Sequence, residues 1–363
     1  MNRAYKFRIY PNKTQEALLA KTFGCVRFIY NKMLEDKIAH YSQTKQSLKN
    51  TPAPYKQDFE WLKEVDSMAL CNAQINLQTA FKNFFQRPDM GFPKFKSKHS
   101  SKASYTTNCI NNNIRLDAGK IKLPKIGWVK VKQHRQIPQS YTLKSVTVTK
   151  NCTGKYYVSI LFEFEQTIQP VTPVTCVGLD FSMKELYVSS DGEVSTYPHY
   201  YRESLKRLAR EQRKLSLCQK GSSNRNKQRI KVARLHEHVA NQRKNFLHQQ
   251  TRKIANFYDA VCVEDLNMKA LSQSLHFGKS VSDNGWAMFL AQLSYKLAEA
   301  GKYLVKIDKW FPSSKMCSRC GSVKDDLSLS ERVYTCDCGY IADRDLNAAT
   351  NILNQGKLLL PSF

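Results

Sequence analysis

CSRCGSVKDDLSLSERVYTCDCGYIADRDLNAATNIL, residues Cys317–Leu353, is the stretch on which the reading of this 363-residue chain turns. Cys317 and Cys320 form a C-x-x-C pair, Cys336 and Cys338 a C-x-C pair, and a short polar insert separates them. Four thiolates at that spacing suit a tetrahedral zinc ion, with each pair on a tight turn and the ion joining the two turns. Gly321 and Gly339 follow the pairs directly, as metal-binding turns require. Such a zinc ribbon is closed by its four protein ligands, so it holds the fold and leaves no open position for chemistry. Asp345 comes next, heading a run of helix formers with Ala348, Ala349 and Ile352 on one face. Aspartate is a good N-cap, so a purely structural role is open to it.

Composition bounds the class. Lys and Arg total 57 against 30 Asp and Glu, a formal charge of +27 that self-repels unless an acidic partner neutralises it. Nucleic acid is the expected partner, with affinity falling steeply in salt. A membrane surface is the second candidate, but no long basic amphipathic helix with a strong apolar face supports it. No apolar run is long enough to span a bilayer, and MNRAYKFRIY lacks a signal-peptide core, so a soluble cytoplasmic protein is expected. At 42% hydrophobic content the chain can bury the cores of two or three domains. Cys25, Cys71, Cys109, Cys152, Cys176, Cys218 and Cys262 lie scattered and read as small buried hydrophobes in a reducing compartment.

In the N-terminal half, AYKFRIY alternates Tyr5, Phe7 and Ile9 against Lys6 and Arg8, the period of a half-buried strand. Asn12 and Gln15 form a capping box ahead of helically spaced Leu18, Leu19, Phe23, Phe28, Ile29 and Leu34. A second long helix starts at Asp66 as cap and stops before Pro88; its polar face carries Asn72, Gln74, Gln78 and Lys82, side chains able to read base edges. Lys94, Lys96, Lys98 and Lys102 then interleave with Phe92, Phe95 and Tyr105, a loop suited to phosphate and base contact. The alternating runs IRLDAGKIKL, WVKVK, LKSVTVTK and KYYVSILFEFE predict a small antiparallel β-barrel. The strand at residues 4–10 is expected to pair with them, leaving the helices as an insertion.

The C-terminal half opens with TCVGLDFSMKELYVSSDGEVSTY, an apolar strand running into Asp180 and then a hairpin. An acid in a buried strand is costly unless paired or holding a metal. Residues 202–257 form a basic helical region broken at Gly221 to Asn224, with an apolar stripe through Val232, Leu235, Val239, Phe246, Ile254 and Phe257. Its basic face, Arg207, Arg210 and Arg229 included, is expected to meet phosphates. His236, His238 and His248 have no thiolate or carboxylate at metal spacing and are not read as ligands. Ala260 to Val263 is a buried-strand run with Glu264 at its carboxyl end, where open sheets place chemistry. A helix from Trp286 stops at Gly301, and the strand YLVKI leads into the ribbon.

Asp180, Glu264 and Asp345 thus come from a first strand, a later strand and a terminal helix, in the order β-hairpin, β, α, β, α, β, α. That order matches the RNase H-like fold, whose acids converge to hold two magnesium ions. Hard oxygen ligands suit Mg²⁺, and two such ions serve phosphodiester hydrolysis. Asp343 and Asp265 are near neighbours ranked behind these three.

The segments YKFRIYPNKTQEALL, GCVRFIYNKML, GFPKFKSK, GLDFSMKELYVSSDG and VEDLNMKAL, with SSKMCSRCG through CDCGYIADRDLNAATNIL, resemble the TnpB (OrfB) family of bacterial insertion sequences. These are compact relatives of type V CRISPR nucleases, and the resemblance spans essentially the whole chain. It implies an α+β multidomain protein with a wedge β-barrel (1–10 and 105–170) and an inserted helical recognition domain (11–104). A RuvC-type nuclease domain (171–310 and 340–363) follows, with an inserted zinc ribbon (311–339). It further implies a guide RNA from the transposon end, double-stranded target DNA recognised beside a short motif, and cutting by Asp180, Glu264 and Asp345 at one Mg²⁺ site. A bacterial, nucleoid-associated monomer with one RNA, or a dimer, is the expected state. Two departures stand out: Phe181 and Ser182 replace a glycine-ended turn after the first acid, and the second thiol pair is C-x-C rather than C-x-x-C. The rival readings are a nuclease-inactive guided DNA binder, a transposase that joins DNA ends itself, and a junction resolvase.

Overall fold

The computed structural model describes residues 1–98, 103–274, 278, 283–328 and 331–360; Lys102, expected in the basic loop, lies outside them. Internal contacts divide the chain into Met1–Gln166 and Thr167–Phe363.

The first unit is built on β1 (Asn2–Tyr10), where alternation buries Phe7 and Ile9 and turns Lys6 outward. Helices α1 (Lys13–Thr44), α2 (Pro52–Asp58) and α3 (Ser67–Gln86) come before the chain returns to strands. Those strands are β2 (Ala103–Asn108), β3 (Arg115–Asp117), β4 (Lys120–Leu123), β5 (Gly127–Lys132), β6 (Thr142–Lys150) and β7 (Tyr156–Glu163). The sheet order is β2-β6-β7-β1-β5-β4-β3, and every pairing is antiparallel. The first strand therefore fills the centre of the sheet, with Tyr5 opposite Ile160 and Arg8 opposite Lys132. This curled sheet, whose order ends at β2 and β3, buries one face with α1 and α3 in a shared core.

The two expected caps form. Asn12 Oδ1 accepts from Gln15 N at 2.8 Å while Asn12 N donates to Gln15 Oε1 at 3.1 Å, and Asp66 Oδ1 accepts from Met68 N at 3.1 Å. β2 is where the sequence reading fails. Tyr105, expected as an exposed stacking ring, is 4% exposed and packs 5.7 Å from Phe23. Its strand is polar on one side and pairs with β6, so partner geometry, not apolar content, makes it a strand.

The second unit holds a four-stranded sheet in the order β11-β10-β8-β9, made of β8 (Cys176–Phe181), β9 (Tyr187–Ser189), β10 (Ala260–Glu264) and β11 (Tyr303–Ile307). β8, β10 and β11 are parallel and β9 is antiparallel. Its helices are α4 (Tyr200–Leu217), α5 (Ser223–Phe257), α6 (Met268–Ser274), α7 (Trp286–Glu299) and α8 (Arg344–Lys357); β12 (Val333–Thr335) and β13 (Ile341–Asp343) form a ribbon before α8. Strand period 2 sorts the residues. Val177, Leu179, Val261 and Val263 face a core shared with α5 and α7. The alternate residue Cys262 packs with Ile307 and with Ile352 of α8. Burial on both faces explains why these parallel strands are almost wholly apolar.

The apolar stripe of α5 holds through Val232, Val239 and Ile254, with Leu247 added, but Phe257 is 69% exposed. It is the helix's last residue and rests edge-on against Tyr258, 4.9 Å away. The seven scattered cysteines are free; Cys25 and Cys262 are buried as expected, whereas Cys152 is exposed. No helix among the described residues is long and apolar enough to cross a membrane.

α8 lies unusually close to the sheet. A Cβ on Gly178 would stand 2.7 Å from the Leu353 nitrogen and overlap the Ala349 carbonyl oxygen, and one on Gly356 would overlap the Cys262 side chain. Two missing side chains, one on a strand and one on the helix, therefore set the spacing. We expect Gly178→Ala to force α8 outward at a cost on the order of 3 kcal/mol, lowering Tm by about 6–12 °C. A thermal melt of the variant matching the parent would refute this close-packing account.

Candidate metal centres

Asp180 sits near the carboxyl end of β8, and Glu264 ends β10, the parallel neighbour. The ladder pairs Val263 with Leu179, so the next residues, Glu264 and Asp180, are level with each other and on the same face as Cys262 and Gly178. That is the face covered by α8, whose first turn carries Asp345. Three acids about 80 residues or more apart in sequence thus meet at one end of the sheet.

Their proximity shows in the electrostatics. Burial pushes the Asp180 carboxyl well above the usual carboxylate range; the charges of Glu264 and Asp345 push it the same way, while Arg344 and the Phe181 N–H oppose them. As a whole residue Asp180 keeps some exposed surface, yet desolvation of its carboxyl is the largest effect. Two neighbouring negative charges add to that effect. Glu264 is also raised by burial, against the hydroxyl of Ser313, which donates to its Oε1. A cluster of carboxylates, all hard oxygen donors and two of them, Asp180 and Glu264, with raised proton affinity, fits a divalent cation such as Mg²⁺.

Asp345 is not the helix cap. Asp343 takes that role, its Oδ1 accepting from Asp345 N at 2.9 Å and Leu346 N at 3.1 Å. The structural role open to Asp345 is thereby filled by its neighbour, and Asp345 is left to the cluster, where Arg344 contacts its Oδ1 at 3.4 Å. Asp265, one residue past Glu264, is exposed and paired with Lys306 at 2.7 Å. The turn after β8, where no glycine stands, is held from outside: buried Asn284 donates to the carbonyls of Ser182 (2.9 Å) and Glu185 (2.7 Å), and Phe181 packs 5.4 Å from Trp286.

The four thiols form a second centre. Cys317 Sγ lies 3.8 Å from Cys338 Sγ and Cys320 Sγ 3.6 Å from Cys336 Sγ, with all four within 4.8 Å of one another. Ligands 2.3 Å from a tetrahedral zinc stand about 3.8 Å apart, whereas a disulfide brings its sulfurs to about 2 Å. All four cysteines are free, so the set fits zinc. Gly321 and Gly339, both with φ near +80°, close the two turns through N–H bonds to the Cys317 and Cys336 carbonyls at 2.9 Å. Ser322 hydrogen-bonds Cys320 and Cys336, pulling the Cys320 thiol down to about 6 and lowering Cys336 as well. The short C-x-C pair is accommodated because Cys336 N donates to Tyr340 O at 2.9 Å, continuing the β12–β13 ladder. Among the described residues this is the only set of three or more such ligands drawn so tightly together, so the three carboxylates are spaced more widely.

The expected nucleic-acid contacts scatter over several elements. Gln74, Gln78 and Lys82 lie one turn apart along α3, the last two exposed, and Lys94 is exposed in the loop that follows. Lys96 is otherwise engaged: its ammonium stands 3.8 Å over the Tyr30 ring, and Asn31 binds both its N–H (2.7 Å) and its carbonyl (3.0 Å). Arg207 and Arg229 are exposed on α4 and α5, as is Arg210, which contacts Glu211 at 3.4 Å. Sequence reading missed an open cavity of about 910 Å³ lined by Tyr10, Lys130, Lys132, His134 and Arg135. It also missed Ser313, Asn347 and Asn351; two asparagines four apart on the apolar side of α8 were the available signal.

Comparison with known proteins bears on these centres. Residues 159–275 match a family described as a probable transposase (OrfB of IS605), residues 286–352 a Cas12f1-like TNB domain, and residues 1–46 a helix-turn-helix domain of the same OrfB group. In the structure, residues 1–46 are instead one strand followed by a single helix of 32 residues. A Streptomyces pristinaespiralis protein named "Putative RNA-guided DNA endonuclease" is 38% identical over 366 residues, covering 98% of this chain and 90% of that protein. Escherichia coli K12 InsQ, given the same name, is 31% identical over 389 residues, covering 99% and 93%. The fold is similar to that of Cas12f1 in a complex with sgRNA and target DNA, with a TM-score of 0.64 at 11% identity over 98% of this chain and 99% of that one. Identity of 38% and 31% over nearly the full length is decisive: the chain belongs to the TnpB (OrfB) family.

Proposed function

We propose that this protein is an RNA-guided DNA endonuclease that hydrolyses phosphodiester bonds of target DNA at Asp180, Glu264 and Asp345. The observation that carries the reading is the level pairing of Asp180 with Glu264 on parallel strands beneath the helix turn that bears Asp345. The order of these elements supports an RNase H-like (RuvC) assignment for the second unit, with residues 311–339 as its zinc ribbon. The antiparallel sheet and α1–α3 correspond to a wedge and an inserted recognition domain.

Magnesium held by the three carboxylates would activate the attacking water and stabilise the leaving 3′ oxygen. The protein's own part is to bring hard oxygens together at the end of a rigid sheet and to hold Glu264 through Ser313. Arg344 supplies a fixed positive charge beside Asp345. The formal charge of +27 suits an RNA–DNA hybrid bound through shape and backbone. Arg207, Arg210 and Arg229 on α4 and α5 serve as phosphate contacts; Gln74, Gln78 and Lys82 on α3 face the DNA beside the target, with Lys94 following. Zinc in the thiol set is structural, since four protein ligands close it.

Asp180→Ala should abolish cutting of a guide-matched plasmid while the RNA co-purified with the protein is unchanged; retained cutting would remove Asp180 from the site. The same assay distinguishes the transposase reading, because joined DNA products formed without RNA would favour strand transfer over hydrolysis.

The raised Asp180 carboxyl has a consequence for stability. Its folded form binds a proton more tightly than its unfolded form, so in metal-free protein stability is lost as pH rises through the folded titration. In EDTA we expect Asp180→Asn to melt above the parent at pH 8, with the gap narrowing as pH falls. Mg²⁺ should raise the parent's Tm and leave the variant's nearly unmoved. A parent at or above the variant at pH 8 would show that the carboxylate cluster carries no repulsion.

A further inference from the structure

Glu264 and the thiol set are joined by one short segment, residues 313–318, and that segment is bound to the helix carrying Asp345. Ser313, 4% exposed, donates its hydroxyl to Glu264 Oε1. The Ser313 carbonyl accepts from Asn351 Nδ2 at 2.8 Å, and the same amide donates to the Met316 carbonyl at 2.7 Å. One turn earlier on α8, Asn347 Nδ2 also donates to Met316 O at 2.7 Å, while its Oδ1 accepts from Ser318 N at 3.0 Å. Ser318 follows the buried ligand Cys317, and Asn347 stands two residues after Asp345. Asn347 and Asn351 are 0% and 3% exposed, so these bonds are made where an unpaired amide would be costly.

A ligand carboxylate whose other oxygen is hydrogen-bonded is held at a set angle, and such partners govern metal affinity strongly. Ser313 occupies one oxygen of Glu264 and leaves the second to a cation. The position of Ser313 is in turn set by Asn351 and by the turn that ends at Cys317. We infer that Ser313 is a positioning residue for Glu264, and that zinc in the thiol set tightens divalent-cation binding at the carboxylates through the 313–318 segment and Asn347 and Asn351. This rests on reading Asp180, Glu264 and Asp345 as a cation centre.

The test is Mn²⁺ titration of the full-length, zinc-loaded protein by calorimetry, with zinc content measured on the same samples. Ser313→Ala should weaken Mn²⁺ binding about 10–100-fold with zinc unchanged, and Ser313→Thr, which keeps the hydroxyl, should restore most of it. Cys320→Ser, at an exposed thiol, should lose zinc and weaken Mn²⁺ binding in the same direction. Ser313→Ala binding Mn²⁺ like the parent overturns the positioning role. Cys320→Ser losing zinc with Mn²⁺ affinity intact overturns the coupling. Should either variant fail to fold, the parent alone decides: coupling is reciprocal, so saturating Mg²⁺ must raise the equilibrium zinc affinity measured in competition with a chelator that ignores Mg²⁺, and an unchanged zinc affinity overturns the coupling. A parent that binds no Mn²⁺ defeats the cation centre itself, an outcome separate from all of these.

Discussion

The close approach of α8 to β8 is the constraint on which the candidate centre depends. Helix and sheet meet where Gly178 of β8, and Gly356 of α8 against Cys262 of β10, carry no side chain, and the helix then runs along the sheet until its first turn lies over the strand ends. With one more methyl group at either contact, Asp345 would be lifted away from Asp180. Packing of this kind is short-ranged and steep, so it fixes position far more tightly than attraction between distant charges does. The apolar core on the opposite face, from Val177 and Leu179 to Trp286 and Leu293, supplies the rigidity against which the helix is set.

That geometry comes at a cost to the metal-free chain. Recessed carboxylates repel one another and resist desolvation, and the raised proton affinity of Asp180 records both effects. The surrounding residues limit the cost: Arg344 contacts Asp345, Ser313 donates to Glu264, and Asp343 caps the helix in place of Asp345. Perturbed carboxylates concentrated at one end of a sheet mark that end as the candidate functional site.

The thiol set adds a second anchor to the same helix. Its four sulfurs, all within 4.8 Å of one another, fit one zinc ion that would join the two turns. Two asparagines on α8 join it to the carboxylate end of the sheet. In the N-terminal unit the corresponding constraint is β1, which occupies the sheet centre and so ties the first ten residues to strands more than 110 residues later.

Much of this was legible in the residues alone. Thiol spacing named the Cys317, Cys320, Cys336 and Cys338 set, because metal geometry constrains short sequence intervals. Strand alternation, the Asn12 and Asp66 caps, and acids at the ends of apolar runs are likewise local signals, and they sufficed to single out Asp180, Glu264 and Asp345. Other features were not local. β2 became a strand, and Tyr105 a core residue, only because β6 lay beside them. Asp343 and Asp345 are equivalent candidates for a cap until the helix start is known. Lys96 looks like a phosphate contact until Tyr30 and Asn31 are found beneath it. The sequence by itself determined which chemistry this chain carries, since ligand type and period are written within a few residues. Tertiary structure alone decided which groups meet, because the glycine contacts and buried amides that set those distances join residues remote along the chain.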